Sequence, residues 1–169
     1  MKKLVATWGH DKAATEKYNA LIKRGEQLIA DKQLAAAQVV WEQAAKLRPM
    51  DALPHQRLAG LCLSRTINKP LQAADHLILL DKAELKDNRY SKRLARLYQQ
   101  ENDLPKSLDF AARATRINPW DPDARDLFAT VLSAHSDTAE AQRQKQVAQQ
   151  IRTVQAKPAN PDEPATAPD

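Results

Sequence analysis

Cysteine, glycine and aromatic residues are all scarce in this chain of 169 residues. Its single cysteine, Cys62, excludes an intramolecular disulfide, and we expect a buried structural thiol there because its place in the pattern described below is normally apolar. Three glycines and 5% aromatic residues argue against a barrel, a sandwich or a Rossmann-type domain. So few glycines also leave no glycine-rich loop that could hold a phosphate.

The chain also lacks a long apolar run. Its apolar stretches are far shorter than the roughly 20 residues that a membrane-spanning helix needs. Charged residues make up 28% of the sequence, and the mean hydropathy is negative. The first ten residues have a basic start but no hydrophobic stretch of secretory length. We therefore expect no membrane partner, no signal peptide and a cytoplasmic location.

Motifs for catalysis, metal binding and cofactor binding are missing from the sequence as well. It contains no HExxH and no GxSxG, and no histidine has a second histidine or a cysteine at the spacing that would place two ligands on one helix face. The four histidines are His10, His55, His76 and His135. We predict that each is a surface or packing residue, and that the chain has no catalytic residue, no metal site and no cofactor.

Three nearby aspartates, Asp121, Asp123 and Asp126, are the one cluster that suggests a cation site. They follow Asn118 and Pro119 in a segment typical of a turn that leads into a helix. Aspartate at a helix start caps the free backbone amides and complements the helix dipole. The pattern therefore favours a structural role.

A repeat with a period near 34 residues is the main feature that the sequence does contain. One slot holds Gly25, Ala59 and Ala95, with steps of 34 and 36 residues. A second slot holds Ala37, Ala73 and Ser107, with steps of 36 and 34 residues, so the middle unit carries an insertion of two residues. Small residues at fixed helix positions let neighbouring helices approach closely. A period of this length is typical of a helical repeat array, in which each unit buries its apolar face against the next.

Large residues and helix stops recur with the same period. In the first unit the slots hold Leu21, Gly25, Leu28, Ala37, Trp41 and Pro49. Pro119 ends the third unit as Pro49 ends the first, and a residue before proline is pushed out of the helical region. This pattern resembles the tetratricopeptide repeat family. The resemblance implies an all-α fold, a right-handed solenoid of antiparallel helix pairs that comprises three repeat units and a C-terminal capping pair.

The predicted domain boundaries follow the repeats. Residues 1–17 form a lead-in, either loose or the remnant of a helix packed on the first unit. Residues 18–51, 52–87 and 88–121 form the three units, and residues 122–156 form the cap. A long helix with few apolar positions is predicted for residues 138–155 and suits a capping role. Residues 157–169 contain four prolines and several acids, a composition typical of a disordered tail.

The resemblance also implies a binding groove, lined by the first helix of each unit. It places Glu26 and Ile29 of the first unit, and Gln56, Gly60 and Ser64 of the second, on this groove. The predicted ligand-binding residues are cationic and occupy the same kind of position: Arg57, Arg89, Lys92, Arg93 and Arg96. The last four lie on one stripe of a single helix with no acid among them.

A guanidinium cluster of this kind favours an acidic peptide or a free C-terminus, because arginine holds carboxylates in bidentate geometry. Some family members clamp a terminal carboxylate. Arg89 and Arg93 match the basic positions of that clamp, but Arg57 replaces an expected asparagine, and Ile22 and Glu26 replace lysine and asparagine. The alternative for the stripe is a solvated charged face.

Three functions remain open from the sequence. The leading prediction is a non-catalytic scaffold that binds another protein or an acidic peptide in the groove. The second is an accessory subunit or module of a larger enzyme assembly, since the segment from Arg116 to Pro122 is similar to a turn in repeat arrays appended to large bacterial zinc peptidases. Third, a net charge of +5 would suit nucleic acid, but stacking aromatic residues are scarce, which disfavours it. The sequence does not indicate the oligomeric state.

Overall fold

Eight α-helices account for most of the residues that the structure describes. The computed structural model describes residues 2–156, with side chains from residue 12 onward, and within these residues it has no strand. The helices are α1 (Lys2–Ala30), α2 (Leu34–Leu47), α3 (Ala52–Cys62), α4 (Pro70–Ala83), α5 (Arg89–Gln100), α6 (Leu104–Ile117), α7 (Pro122–Ala134) and α8 (Thr138–Gln155). The all-α prediction is confirmed. None of the helices in the described part of the chain is long and apolar enough to cross a membrane.

Aspartate side chains cap the starts of α6 and α7. Asp103 caps α6 by accepting a hydrogen bond from the backbone N–H of Lys106 at 3.2 Å. Asp121 caps α7 by accepting from the backbone N–H groups of Asp123 and Ala124, at 2.9 and 3.2 Å. These bonds satisfy amides that a helix start otherwise leaves free. The structural interpretation of Asp121 is therefore confirmed.

Short turns of one geometry join the helices of three pairs. Lys32, Asn102 and Ser136 have φ values of 59°, 58° and 66°, in the left-handed region. After each, a backbone N–H returns to a carbonyl five residues earlier, as from Gln33 to Leu28 at 2.8 Å. This arrangement satisfies the free carbonyls of a helix end and reverses the chain within three residues. The connection between α3 and α4, residues 63–69, is longer, in line with the insertion in the middle unit.

Both small-residue slots are buried. Ala59, Ala95, Ala37, Ala73 and Ser107 are all no more than 1% exposed. The slots also contact each other, since the hydroxyl of Ser107 donates to the carbonyl oxygen of Ala95 at 2.8 Å. The close approach of paired helices that the repeat predicts is therefore present.

The described residues divide into two compact units, one that ends at Leu85 and one that begins at Lys86. The first contains α1 to α4 and the second α5 to α8, and successive helices pack on each other within each unit. The predicted boundary after residue 17 lies inside α1, which is continuous from Lys2 to Ala30. Residues 157–169 lie outside the described part, so the disordered tail stays a prediction.

Candidate functional site

Helix α5 carries four of the five predicted ligand-binding residues, and its two faces differ sharply. One face is buried and includes Tyr90, Leu94 and Ala95. The other face carries the basic residues: Arg89, Lys92, Arg93 and Arg96. Arg93 and Arg96 are exposed, whereas the side chain of Lys92 is mostly buried. The four basic residues therefore share a helix but not an environment.

Lys92 is neutralised within the second unit. Its Nζ lies 2.6 Å from Oδ2 of Asp121, and the two side chains are only 20% and 13% exposed. Asn88 donates to the same carboxylate oxygen at 2.9 Å and to the carbonyl oxygen of Ala114 at 3.1 Å. Burial acts to raise the pKa of Asp121, but the hydrogen bonds from Lys92 and Asn88 outweigh it, and the pKa lies below its ordinary value. An acid thus faces the stripe that the sequence predicts to be free of acids.

We call Asn88, Lys92 and Asp121 the polar hub. Asp121 stabilises the start of α7 with one carboxylate oxygen and binds two residues at the α5 end with the other. Because Lys92 is committed to this hub, it has little positive charge to offer a ligand. This role does not follow from the sequence pattern, because Asp121 and Lys92 are 29 residues apart.

The three arginines of α5 remain available to a ligand. Arg89 forms a surface ion pair with Asp87 at 2.9 Å, and its guanidinium lies 4.9 Å from the centre of the Tyr90 ring. An exposed pair of this kind is worth about 0–1 kcal/mol and is easily exchanged. Arg93 and Arg96 form no ion pair with any described acidic residue. We call Arg89, Arg93 and Arg96 the arginine stripe.

Arg57, the fifth predicted residue, belongs to the first unit. Its Nη2 lies 2.8 Å from Oε1 of Glu26, and both side chains are about half exposed, at 47% and 48%. The resemblance placed Glu26 on the groove, in place of an expected asparagine. In the structure it is the partner of Arg57, because α1 and α3 belong to one compact unit and bring the two side chains together.

A cavity of about 350 Å³ lies beside Arg57 within the first unit. Five of the residues that the resemblance assigns to the groove line it: Ile29, Gln56, Arg57, Gly60 and Ser64. The remaining wall consists of Leu34, Trp41 and Leu61. The cavity is therefore apolar at its base and polar at its rim.

Two of the four histidines also meet in the first unit, which the sequence analysis did not foresee. Nδ1 of His55 lies 3.1 Å from Nδ1 of His76, and Nε2 of His55 lies 3.0 Å from the carbonyl oxygen of Pro49.

The described residues contain no group of three or more His, Cys, Asp or Glu side chains that could hold a metal ion. Cys62 is buried, as expected, and burial raises the pKa of its thiol, which disfavours the reactive thiolate.

Asp123 and Asp126 bind an arginine of the last helix. Arg152 Nη2 lies 3.1 Å from Asp123 and 2.7 Å from Asp126. This pairing is within the second unit and occupies both carboxylates. Together with the capping role of Asp121, it accounts for the whole aspartate cluster.

The sequence matches no protein-family model, and it matches no curated protein. The fold is similar to solved structures of helical repeat proteins. MamA of Desulfovibrio magneticus RS-1, from residue 41 to its end, is 18% identical with a TM-score of 0.64, over 83% of this chain and 78% of that one. Another MamA crystal structure is 16% identical with a TM-score of 0.68, over 86% and 84% of the two chains.

YrrB, described as a TPR protein with an unusual peptide-binding site, is 17% identical with a TM-score of 0.61. The match covers 79% of this chain and 68% of YrrB. At identities this low the likeness establishes the fold alone. The tetratricopeptide-type fold that the sequence predicts is thereby confirmed.

Proposed function

We propose that this chain is a non-catalytic scaffold that binds an acidic peptide, or an acidic segment of a partner protein, through the arginine stripe of α5. The observation that carries the proposal is the contrast between Lys92, which an acid neutralises, and Arg93 and Arg96, which no described acid pairs with. Repeat arrays of helix pairs present exposed helix faces to partners, and binding of an extended or helical segment is their common use.

The chemistry of the stripe favours carboxylates. Arg89, Arg93 and Arg96 follow one another at intervals of four and three residues, which places them in a row along one helix face. Each guanidinium offers a fork of N–H donors that matches a carboxylate. A segment with several Asp or Glu residues, or with one such residue and a free C-terminus, fits this row.

Charge reversal of Arg93 and Arg96 to glutamate tests the proposal directly. We expect a short Asp/Glu-rich peptide to bind the wild type and to bind R93E/R96E at least about tenfold more weakly, because a hydrogen bond to a charged group is worth about 1.5–3 kcal/mol and 1.4 kcal/mol is tenfold in affinity. The matched control is R116E/K145E, which makes the same change in net charge at two exposed residues on α6 and α8. Fluorescence anisotropy of the labelled peptide measures both.

An equal loss of peptide affinity in both double variants would show that only net charge matters for binding. That result would overturn the proposal. Amidation of the peptide C-terminus separates recognition of side-chain carboxylates from recognition of a chain end. A single-stranded oligonucleotide in the same salt titration tests the nucleic-acid alternative, since release of counterions from phosphates gives a steep salt dependence. Tighter binding of the oligonucleotide than of the peptide would contradict the proposal.

A further inference from the structure

Gly60 lies in the last turn of α3, two residues before the helix ends at Cys62, where the fold itself has no need of glycine. Glycine inside a helix costs about 0.5–1 kcal/mol relative to alanine. The φ angle of Gly60 is negative, so its backbone would accept any residue. A Cβ built on Gly60 would meet no atom within 4 Å. Gly25, by contrast, is required by the fold, because a Cβ there would lie 2.6 Å from the Cδ1 and Cε2 atoms of Trp41.

The open space above Gly60 is the cavity of about 350 Å³ described above. Its size falls at the lower end of the range of ligand pockets, about 300–1,000 Å³, and suits one large side chain with its backbone. Ile29, Leu34, Trp41 and Leu61 form its apolar wall. A glycine at the rim lets the main chain of a ligand come close to the helix, which is a common reason for glycine in a binding surface.

Arg57 gives the rim a defined charge preference. It donates one N–H to Glu26, and the pair is half exposed, so solvent screens it and it is readily shared. The other N–H groups of the guanidinium can donate hydrogen bonds to a second carboxylate. Lys92 in the second unit cannot act in this way, because its pair with Asp121 is largely buried.

From these observations we infer that the first unit binds an apolar side chain of a peptide in the cavity above Gly60, with an acidic residue of the same peptide on Arg57. The peptide backbone passes over Gly60. This inference rests on the proposed function for the acidic character of the ligand, and it adds a second recognition element, an apolar anchor, that the arginine stripe does not supply. An acidic peptide with a leucine is then a better ligand than the same peptide with alanine in that place.

Two substitutions at Gly60 distinguish the role of the cavity in binding from the effect of glycine on the stability of the helix. Gly60→Ala adds one methyl group in open space and raises helix propensity, so we expect a higher melting temperature and an unchanged preference for leucine. Gly60→Leu places a side chain in the cavity, and we expect the preference for leucine to disappear. Two labelled Asp/Glu-rich peptides, identical except for leucine or alanine at one central position, serve as probes.

We expect the wild type and G60A to bind the leucine peptide about tenfold or more tightly than the alanine peptide, since burial of a leucine side chain supplies that much. In G60L the two peptides bind alike, with the affinity of the alanine peptide retained. Trp41 reports on the site directly when Trp8 and Trp120 are replaced by phenylalanine, because it lines the cavity. Its fluorescence is expected to change with the leucine peptide only.

Equal binding of the two peptides to the wild type, or a leucine preference that survives in G60L, would overturn the inference while the proposed function stands. Failure of both peptides to bind the wild type would instead refute the proposed function. Circular dichroism of G60L establishes that the helices are intact. Should G60L unfold, the comparison of the two peptides on the wild type and G60A still decides the matter.

Discussion

The two units of this chain fill equivalent helix junctions in different ways. In the first, the large ring of Trp41 lies against Gly25. In the second, the corresponding residues are Ala95 and Ala111, which share a core cluster with Leu127 and Val131. A glycine faces a tryptophan in one unit, and two alanines face each other in the other. The repeat therefore conserves close packing of the paired helices, and not the identity of the residues that achieve it.

The units also differ in their buried polar groups. The second unit has the polar hub, in which Asp121 binds Lys92 and Asn88. The first has the contact between His55 and His76. The polar hub joins a carboxylate to an ammonium group and an amide, whereas the contact in the first unit joins two imidazole rings. This difference predicts that the two units respond differently to mutation and to pH.

Loss of the Asp121 carboxylate is expected to have the largest effect. Asp121→Ala removes the N-cap of α7, worth about 1 kcal/mol, and leaves Lys92 and Asn88 without their acceptor, at about 1–3 kcal/mol. We expect the free energy of unfolding to fall by about 3 kcal/mol. Asp121→Asn keeps the cap and should lose clearly less. Urea denaturation followed by circular dichroism measures both, and a loss below about 0.5 kcal/mol in D121A would contradict the role of the hub.

Replacement of Gly25 by alanine is expected to have the next largest effect, in the first unit. The new methyl group would overlap the ring of Trp41, and overpacking of this kind costs about 1–3 kcal/mol, partly offset by the better helix propensity of alanine. We expect a net loss of about 2 kcal/mol. The double variant G25A/W41L introduces the residue types of Ala59 and Leu77, which hold the same two positions in the middle repeat and are both buried.

The double variant sharpens the comparison of the units. If complementary size is what matters, G25A/W41L should be more stable than the sum of its two single variants predicts, because residues in contact couple. Additive losses would show that Gly25 and Trp41 act independently. Chemical denaturation of the three variants and the wild type completes the cycle.

The smallest expected effect is a pH dependence that arises in the first unit. The carbonyl of Pro49 can only accept, so Nε2 of His55 donates to it, and the Nδ1 atoms of His55 and His76 share one hydrogen bond. Burial lowers the pKa of His76, with a further contribution from His55, while Asp75 and Glu42 act in the opposite direction. The folded state therefore favours neutral His76.

A group whose pKa is lower in the folded state stabilises the fold above its unfolded pKa, about 6.5, and this contribution is lost as the pH falls through the folded value. We expect the melting temperature of the wild type to fall between about pH 7 and pH 5 by more than that of His76→Gln. His135→Gln, at an exposed residue of the second unit, serves as the control and should behave like the wild type. Parallel pH profiles for the wild type and H76Q would contradict this origin of the pH dependence.

Much of the fold follows from local patterns. The helix stops before Pro49 and Pro119 and the cap at Asp121 lie where the sequence predicts them, because capping and helix termination depend on a few neighbouring residues. For residues 1–17 the sequence left a loose lead-in and the remnant of a helix both open, and the structure has a continuous helix from Lys2. Residues 1–17 contain no repeat position, so the repeat pattern does not predict where α1 begins.

The candidate site was predictable only in part. The spacing predicts that one helix carries all four basic residues, Arg89, Lys92, Arg93 and Arg96. It does not predict which of them is paired with an acid. Lys92 has its acid on a different helix, 29 residues away, and Arg57 has Glu26 at a distance of 31 residues. Patterns along a single helix predict neighbours that are three or four residues apart. They do not predict partners that lie on another helix.

The sequence by itself determined the all-α class, the repeat register, most helix ends and the burial of the small residues, because these depend on local backbone preferences and on a period that recurs along the chain. Only the tertiary structure decided which cations are already neutralised, which histidines meet and where a cavity is left open. Those outcomes depend on how packed helices are rotated about their axes, and a small change in that rotation brings a different side chain opposite each charge.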